Sequence, residues 1–278
     1  MAADTVRGAR KVGRYLLLVT VSAVVLFPIY AVLLQALKSG PDSYDHPRSL
    51  LPVDLTFDTI RSAWRIGDLG RLLRNSLFVS ISVTIGVVVT SLLAAYAFAF
   101  LNFPLKKWVF AAFLTTLLVP AEVTVLINRD TADSLGWVNS YQGLIVPSLA
   151  TMFGVFLVRQ VFMQIPTELR EAAALDGLGH LRFLWSVAAP LSRPTLGALG
   201  LFVFLGTWNA YLWPSQVITD EDHRTIQIGL EHLKTPTDIS KFNLVTGGLV
   251  VAAVPIFVML VAFQRQLVRG LTAGAVKG

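Results

Sequence analysis

The side chains that do chemistry in proteins are few in this sequence, and they lie apart. There is no cysteine, which excludes disulfides, thiolate metal sites and thiol nucleophiles. The four histidines, His46, His180, His223 and His232, form no ligand cluster, and no H-E-x-x-H occurs. No G-x-S-x-G presents a serine, and no G-x-x-x-x-G-K-[ST] string cradles ATP phosphates. Two groups remain. Glu122 is the one ionisable side chain inside an apolar run, where a charge costs on the order of 2.5–3.5 kcal/mol and therefore faces a cavity or a partner. Facing a pore, it would contact solute hydroxyls. If instead Pro120 ends the helix, Glu122 lies at the water interface. The second group is Trp208-Asn209-Ala210-Tyr211-Leu212-Trp213-Pro214. Aromatic faces and an amide suit a carbohydrate, which makes Trp208, Asn209 and Tyr211 candidate solute contacts. Trp and Tyr also collect at membrane interfaces, and Trp213 beside Pro214 is read as such an anchor.

The elements that position these residues follow from composition. Of 278 residues, 54% are apolar and 14% charged, against about 25% charged in an average soluble domain. That leaves too little polar surface for an ordinary soluble enzyme, or for a nucleic-acid-binding domain despite a net charge of +6. Runs of about 20 apolar residues span the hydrocarbon core as helices. Six such runs occur, at 15–37, 76–101, 108–127, 141–158, 194–213 and 242–264. None alternates as a barrel strand does. The expected fold is all-α, a polytopic membrane protein with six transmembrane helices. The expected divisions are an N-terminal segment 1–14, a six-helix domain 15–264 and a tail 265–278. The basic start and the long first run argue for a retained first helix rather than a signal peptide.

Lys and Arg set the orientation. The side holding both termini carries 13 of them (Lys106, Lys107, Arg159, Arg170, Arg182 and Arg193 among them) against 4 acidic residues. The other side carries 10 against 12. Both termini are therefore expected in the cytoplasm. On the outer side, loop 38–75 is expected to hold a short helix near residues 57–64. In loop 214–241, Ile226, Ile228 and Leu230 alternate with Gln227 and Gly229, as in a short extended segment. On the inner side, loop 159–193 is structured. Pro166, Thr167 and Glu168 start a helix, three alanines continue it and Gly177 stops it. A second stretch, 181–187, precedes Pro190 and Pro194. The loop could lie on lipid headgroups. Its alanine face and the acidic Glu171 and Asp176 favour docking to a partner instead.

In this loop Glu171-Ala172-Ala173, three residues, Gly177, nine residues, then Val187-Ala188-Ala189-Pro190 resembles the EAA loop of ATP-binding-cassette importer permeases. Asp176, Phe183, and Pro190-Leu191 followed by Pro194 match the sugar-importer version. Val187 and Ala189 depart from the Ile and Leu of the family pattern. The 208–214 run and the tail 270–278 extend the resemblance to nearly the whole chain, and specifically to the second, six-helix permease of the carbohydrate-uptake class. The resemblance implies a non-catalytic subunit in a bacterial inner membrane, forming half of a heterodimeric pore with a second permease. It implies two ATPase subunits that hold the ATP and Mg, an extracytoplasmic solute-binding protein, and no cofactor on this chain. Glu171, Ala172, Ala173, Asp176, Gly177, Phe183 and Pro190 would form the ATPase-docking element. The tail would reach between the ATPase subunits, and loop 214–241 would reach the binding protein. Sugars are the solutes first implied. The runs 119–123 and 211–214 are also similar to the glycerol-phosphate branch, which handles glycerol-phosphate or glycerophosphodiester compounds. An ATPase-independent transporter or membrane scaffold is the reading of another class. It would show inverted repeats, and no repeat joins spans 1–3 to spans 4–6.

Overall fold

A computed structural model describes residues 2–39, 46, 49–51, 54–233 and 239–273. Among them the structure is helical and contains no sheet. The single strand-like feature is an antiparallel bridge between Lys38 and Leu55. The helices are α1 (Ala2–Leu37), α2 (Asp58–Ile66), α3 (Leu69–Phe100), α4 (Lys106–Thr115), α5 (Ala121–Ser134), α6 (Tyr141–Ile145) and α7 (Met152–Phe162). They continue with α8 (Thr167–Leu175), α9 (His180–Phe183), α10 (Ala189–Leu191), α11 (Arg193–Trp208), α12 (Leu212–Val217), α13 (Ile226–Leu233) and α14 (Ile239–Ala273).

Three stretches are long and apolar enough to cross a membrane: Lys11–Leu37, Leu69–Phe100 and Asn243–Gln264. Counting bent helix pairs as single spans raises the number to six. The expected continuous helices three, four and five are the ones that break. Lys106–Leu118 meets Glu122–Ser134 at 104°. Proline at position 120 has no N–H to donate, and its own ψ of 132° is extended. Tyr141–Ser148 meets Met152–Phe162 at 42°. The carbonyl of Leu149 freed at this bend accepts the Thr90 hydroxyl at 2.6 Å, which supplies the bond that lipid would not. The fifth run, expected to reach residue 213, ends its helix at Trp208. Residues 210 and 211 are non-helical before α12 begins.

The chain divides into two compact units. One comprises Met1–Gly70 and Gly229–Val254. Here the amide of Gln35 donates to the Asn243 side chain at 2.7 Å, tying α1 to α14. The buried Lys38 ammonium donates to the His46 and Ser49 carbonyls at 2.9 and 3.0 Å. The expected helix in this region is present as α2. A Cβ at Gly247 would stand 3.1 Å from the Thr59 carbonyl oxygen and 3.2 Å from the Ala63 side chain, so glycine permits α14 to cross α2 this closely.

The other unit comprises Arg71–Ile228 and Pro255–Gly278. Its larger core joins Leu92, Tyr96, Val158, Phe162, Phe183, Leu184 and Leu199, and so gathers α3, α7, α9 and α11. At the α3–α7 crossing, a Cβ on Gly154 would collide with the Ser91 hydroxyl. Gly154→Val is expected to cost about 1–3 kcal/mol through overpacking, read as a lower unfolding temperature of the purified protein. Adding Ser91→Gly should recover part of that loss. No recovery would mean that the contact does not limit the crossing.

Candidate functional site

The 159–193 loop is ordered by local backbone chemistry. Pro166 precedes α8 in extended conformation, and Glu168 lies in the first turn, where a carboxylate complements the helix dipole. At the other end the Leu178 N–H donates to the Ala173 carbonyl at 2.9 Å and the Gly177 N–H to that of Ala174 at 3.0 Å. Gly177 has φ +73°. This paired closure around a left-handed glycine is the Schellman motif, and it fixes where α8 stops. Beyond α9 the helix widens into a π turn at Leu184–Ala188. In a regular helix the ring of Pro190 would clash with the Ser186 carbonyl, and the extra residue in the turn relieves that. The chain then bends by 82° into α11, with Pro194 in its first turn.

These elements sort the candidate docking residues onto different faces. Glu171, Ala172, Asp176 and Gly177 are exposed. Ala173 and Phe183 turn inward, at 8% and 3% exposure, into the α3–α7–α11 core, and Pro190 is half-buried. The outward face also presents Leu175, 89% exposed, and Leu181 and Trp185, both more than half exposed. These apolar side chains stand on the same exposed loop as the acidic Glu171 and Asp176. Nothing in the sequence marks Leu175, Leu181 or Trp185, because a short helical run does not say which of its apolar residues the core leaves uncovered.

The candidate solute residues do not converge. Trp208 is 1% exposed and stacks on Phe204 at 5.7 Å between centroids, and its indole N–H has no partner among the described residues. Asn209 is exposed and folds its amide back onto the Leu205 carbonyl at 2.8 Å. Tyr211 is exposed in the break between α11 and α12. Glu122 is exposed in the first turn of α5, beyond the Pro120 break rather than inside a continuous apolar helix. Trp213, expected as an interfacial anchor, donates its indole N–H to the Gly143 carbonyl at 3.0 Å.

Loop 214–241 departs most from expectation. Residues 226–230 are helical, within α13, and Ile226, Ile228 and Leu230 are all buried. A five-residue run covered on nearly every side carries no usable period, so alternation misled. The preceding turn is clamped to α3. The Asn75 amide, 0% exposed, donates to the carbonyls of Asp222 at 2.6 Å and Arg224 at 3.0 Å. Its oxygen accepts the Tyr141 hydroxyl at 2.8 Å. Arg71 pairs with Asp222 at 2.8 Å, and the Ser76 hydroxyl accepts the Ile226 N–H at 2.7 Å. Lys234, Pro236 and Asp238 lie outside the described residues. So do 274–278 of the expected tail, whose earlier residues continue α14 as far as Ala273.

A largely helical membrane chain with an EAA-type loop defines a class, the permeases of binding-protein-dependent importers. The family described as binding-protein-dependent transport system inner membrane component matches residues 76–272. The chain belongs to this family and is an inner-membrane permease subunit of a carbohydrate-type ATP-binding-cassette importer, a non-catalytic transport component. This membership sets aside the ATPase-independent transporter. The sn-glycerol-3-phosphate transport system permease protein UgpE of Yersinia pestis bv. Antiqua (strain Antiqua) is 32% identical over 264 residues, covering 92% of this chain and 94% of the relative. The protein of the same name from Escherichia coli O1:K1 / APEC is 34% identical over 256 residues, covering 90% and 91%. In fold, the chain matches one chain of a bacterial ABC transporter involved in the import of the acidic polysaccharide alginate, with a TM-score of 0.83. That match covers 95% of this chain and 98% of the other at 20% identity.

Proposed function

We propose that this chain forms half of the pathway by which an ATP-driven importer takes up sn-glycerol-3-phosphate or a related glycerophosphate compound. The observation that carries this reading is the likeness to two relatives named for sn-glycerol-3-phosphate, 32% and 34% identical over at least nine-tenths of the chain. The sugar reading from the aromatic–amide run is weakened by its geometry, since Trp208 is buried and one Asn209 N–H is turned back onto the Leu205 carbonyl of its own helix. A phosphorylated solute needs a cation. Arg159, at the end of α7, already lies over the Phe110 ring and donates to the Phe98 carbonyl. None of the six apolar runs holds an arginine or lysine, and in this reading the second permease of the heterodimer supplies the phosphate-binding charge.

In this reading both termini are cytoplasmic, and the outward face of α8, with Glu171, Ala172, Leu175 and Asp176, docks on one of two ATPase subunits that hold ATP and Mg. An extracytoplasmic binding protein delivers the solute to the opposite side. The test is uptake into liposomes holding the complete complex with its binding protein. sn-Glycerol-3-phosphate or a glycerophosphodiester should stimulate ATP turnover and accumulate, and neutral sugars should neither stimulate nor compete. Accumulation of maltose-type sugars, with glycerophosphates inert, would return the assignment to carbohydrates.

A further inference from the structure

The 159–193 loop is joined through the backbone to α7 and α11, so a push on α8 reaches those two helices directly. Its link to α3 is non-covalent: Ala173, Phe183, Leu184 and Ala188 share a buried apolar core with Leu92, Ala95 and Tyr96, and a single polar contact is set into it. His180, the first residue of α9, places Nδ1 2.9 Å from the hydroxyl of Tyr96 on α3. Among the described residues this is the one side-chain hydrogen bond between residues 166–193 and α3. The Phe183 ring completes the link, lying edge-on to Phe100 at 5.7 Å and tilted against Tyr96 at 6.5 Å. Beside it a cleft of about 380 Å³ opens among Tyr96, Phe100, Arg170, Glu171 and His180, so α8 is not closely packed on α3 there. The end of α3 is itself held firmly. The Lys106 ammonium donates to the Leu101 carbonyl at 2.8 Å, and Arg159 donates to that of Phe98 at 3.3 Å. Both cations sit where the helix dipole favours them.

We propose that Tyr96 and His180 are positioning residues for energy coupling, a joint through which movement of α8 is delivered to α3 as well as to α7 and α11. The proposal rests on the reading of α8 as the ATPase-docking helix. Apolar contacts are non-directional and can shift beside the cleft, whereas the hydrogen bond fixes the register in which a displacement of α8 is passed to α3. Without it, α8 slides in the open cleft and α3 lags. The complex would then still bind and hydrolyse ATP, but would move less solute per ATP.

The experiment uses the complete complex in liposomes with its binding protein, measuring ATPase co-purification, basal ATP turnover and solute moved per ATP. Tyr96→Phe removes the hydroxyl and keeps the ring. It should leave assembly and basal turnover unchanged and lower solute moved per ATP about 3- to 10-fold, the factor that one hydrogen bond carries. His180→Leu should do the same, and the double variant should be no worse than either single one. His180→Asn, which returns a polar atom near the Nδ1 position, should restore most of the coupling. Normal solute per ATP in Tyr96→Phe, or losses that add in the double variant, would overturn the joint. Leu175→Asp on the same preparations tests docking separately and should release the ATPase subunits. If they stay bound, both the docking reading and the joint fail. If they leave while Tyr96→Phe couples normally, only the joint fails.

Discussion

Replacing Gly177 with valine or leucine is expected to lower transport about 5- to 30-fold while the binding protein still captures solute. The left-handed backbone at this position, φ +73°, costs a residue with a Cβ roughly 1–2 kcal/mol. The space around it is open, with nothing within 4 Å of an added Cβ, so the penalty lies in the backbone and not in a clash. The chain can escape it by releasing the two closing bonds to Ala173 and Ala174, which carries Leu175 and Asp176 off the face proposed to dock. Asparagine tolerates this conformation, so Gly177→Asn should keep most of the uptake. Uptake and ATP turnover in the reconstituted complex rank the three variants. Equal transport by the valine and asparagine variants would rule out the backbone account.

The largest loss of stability is expected from Asn75→Leu. That change strands the Asp222 and Arg224 carbonyls and the Tyr141 hydroxyl, three groups that one buried amide satisfies. Each unpaired buried polar group costs about 1–3 kcal/mol, and partial access to water brings the expected total to roughly 2–4 kcal/mol. Tyr141→Phe removes only the third contact and should cost about 1 kcal/mol. Thermal unfolding of the purified protein measures both. A leucine variant no less stable than the phenylalanine variant would show that the 219–225 turn is not held by Asn75. The clamp also narrows any excision in this region. Replacing 220–238 as a block would remove the buried face of α13, so a test of binding-protein contact belongs on the exposed Glu221 and Asp222 carboxylates.

Segments whose signals were local were legible in the sequence. Proline before α8 and glycine after it fix a short helix by backbone chemistry alone, and both ends fall where the residues indicate. Uninterrupted apolar runs likewise located Lys11–Leu37, Leu69–Phe100 and Asn243–Gln264. Helix continuity was not legible, because hydropathy is blind to backbone hydrogen bonding. Residues 108–127 are uncharged throughout except for Glu122, yet Pro120 divides them into two helices 104° apart. Lys106–Leu118 alone would reach only about 20 Å, short of the hydrocarbon core. Long-range polar pairings were invisible for another reason. His180 and Tyr96 are 84 residues apart, and nothing in the composition around either names the other. The inward turn of Phe183 was hidden in the same way, since a motif position does not say which face of a short helix the core will claim.

Residues 11–30 of α1 are exposed, and among the described residues none of the helix's most apolar window is buried. Substitutions there leave the chain's own folding largely untouched, so their tolerance reports on the neighbours. A position bathed in acyl chains accepts any apolar side chain, whatever its bulk. A position seated against another protein discriminates by a single methylene, because such contacts are close-packed. A saturation scan along this helix would therefore draw, residue by residue, the footprint of whatever lies beside it in the membrane.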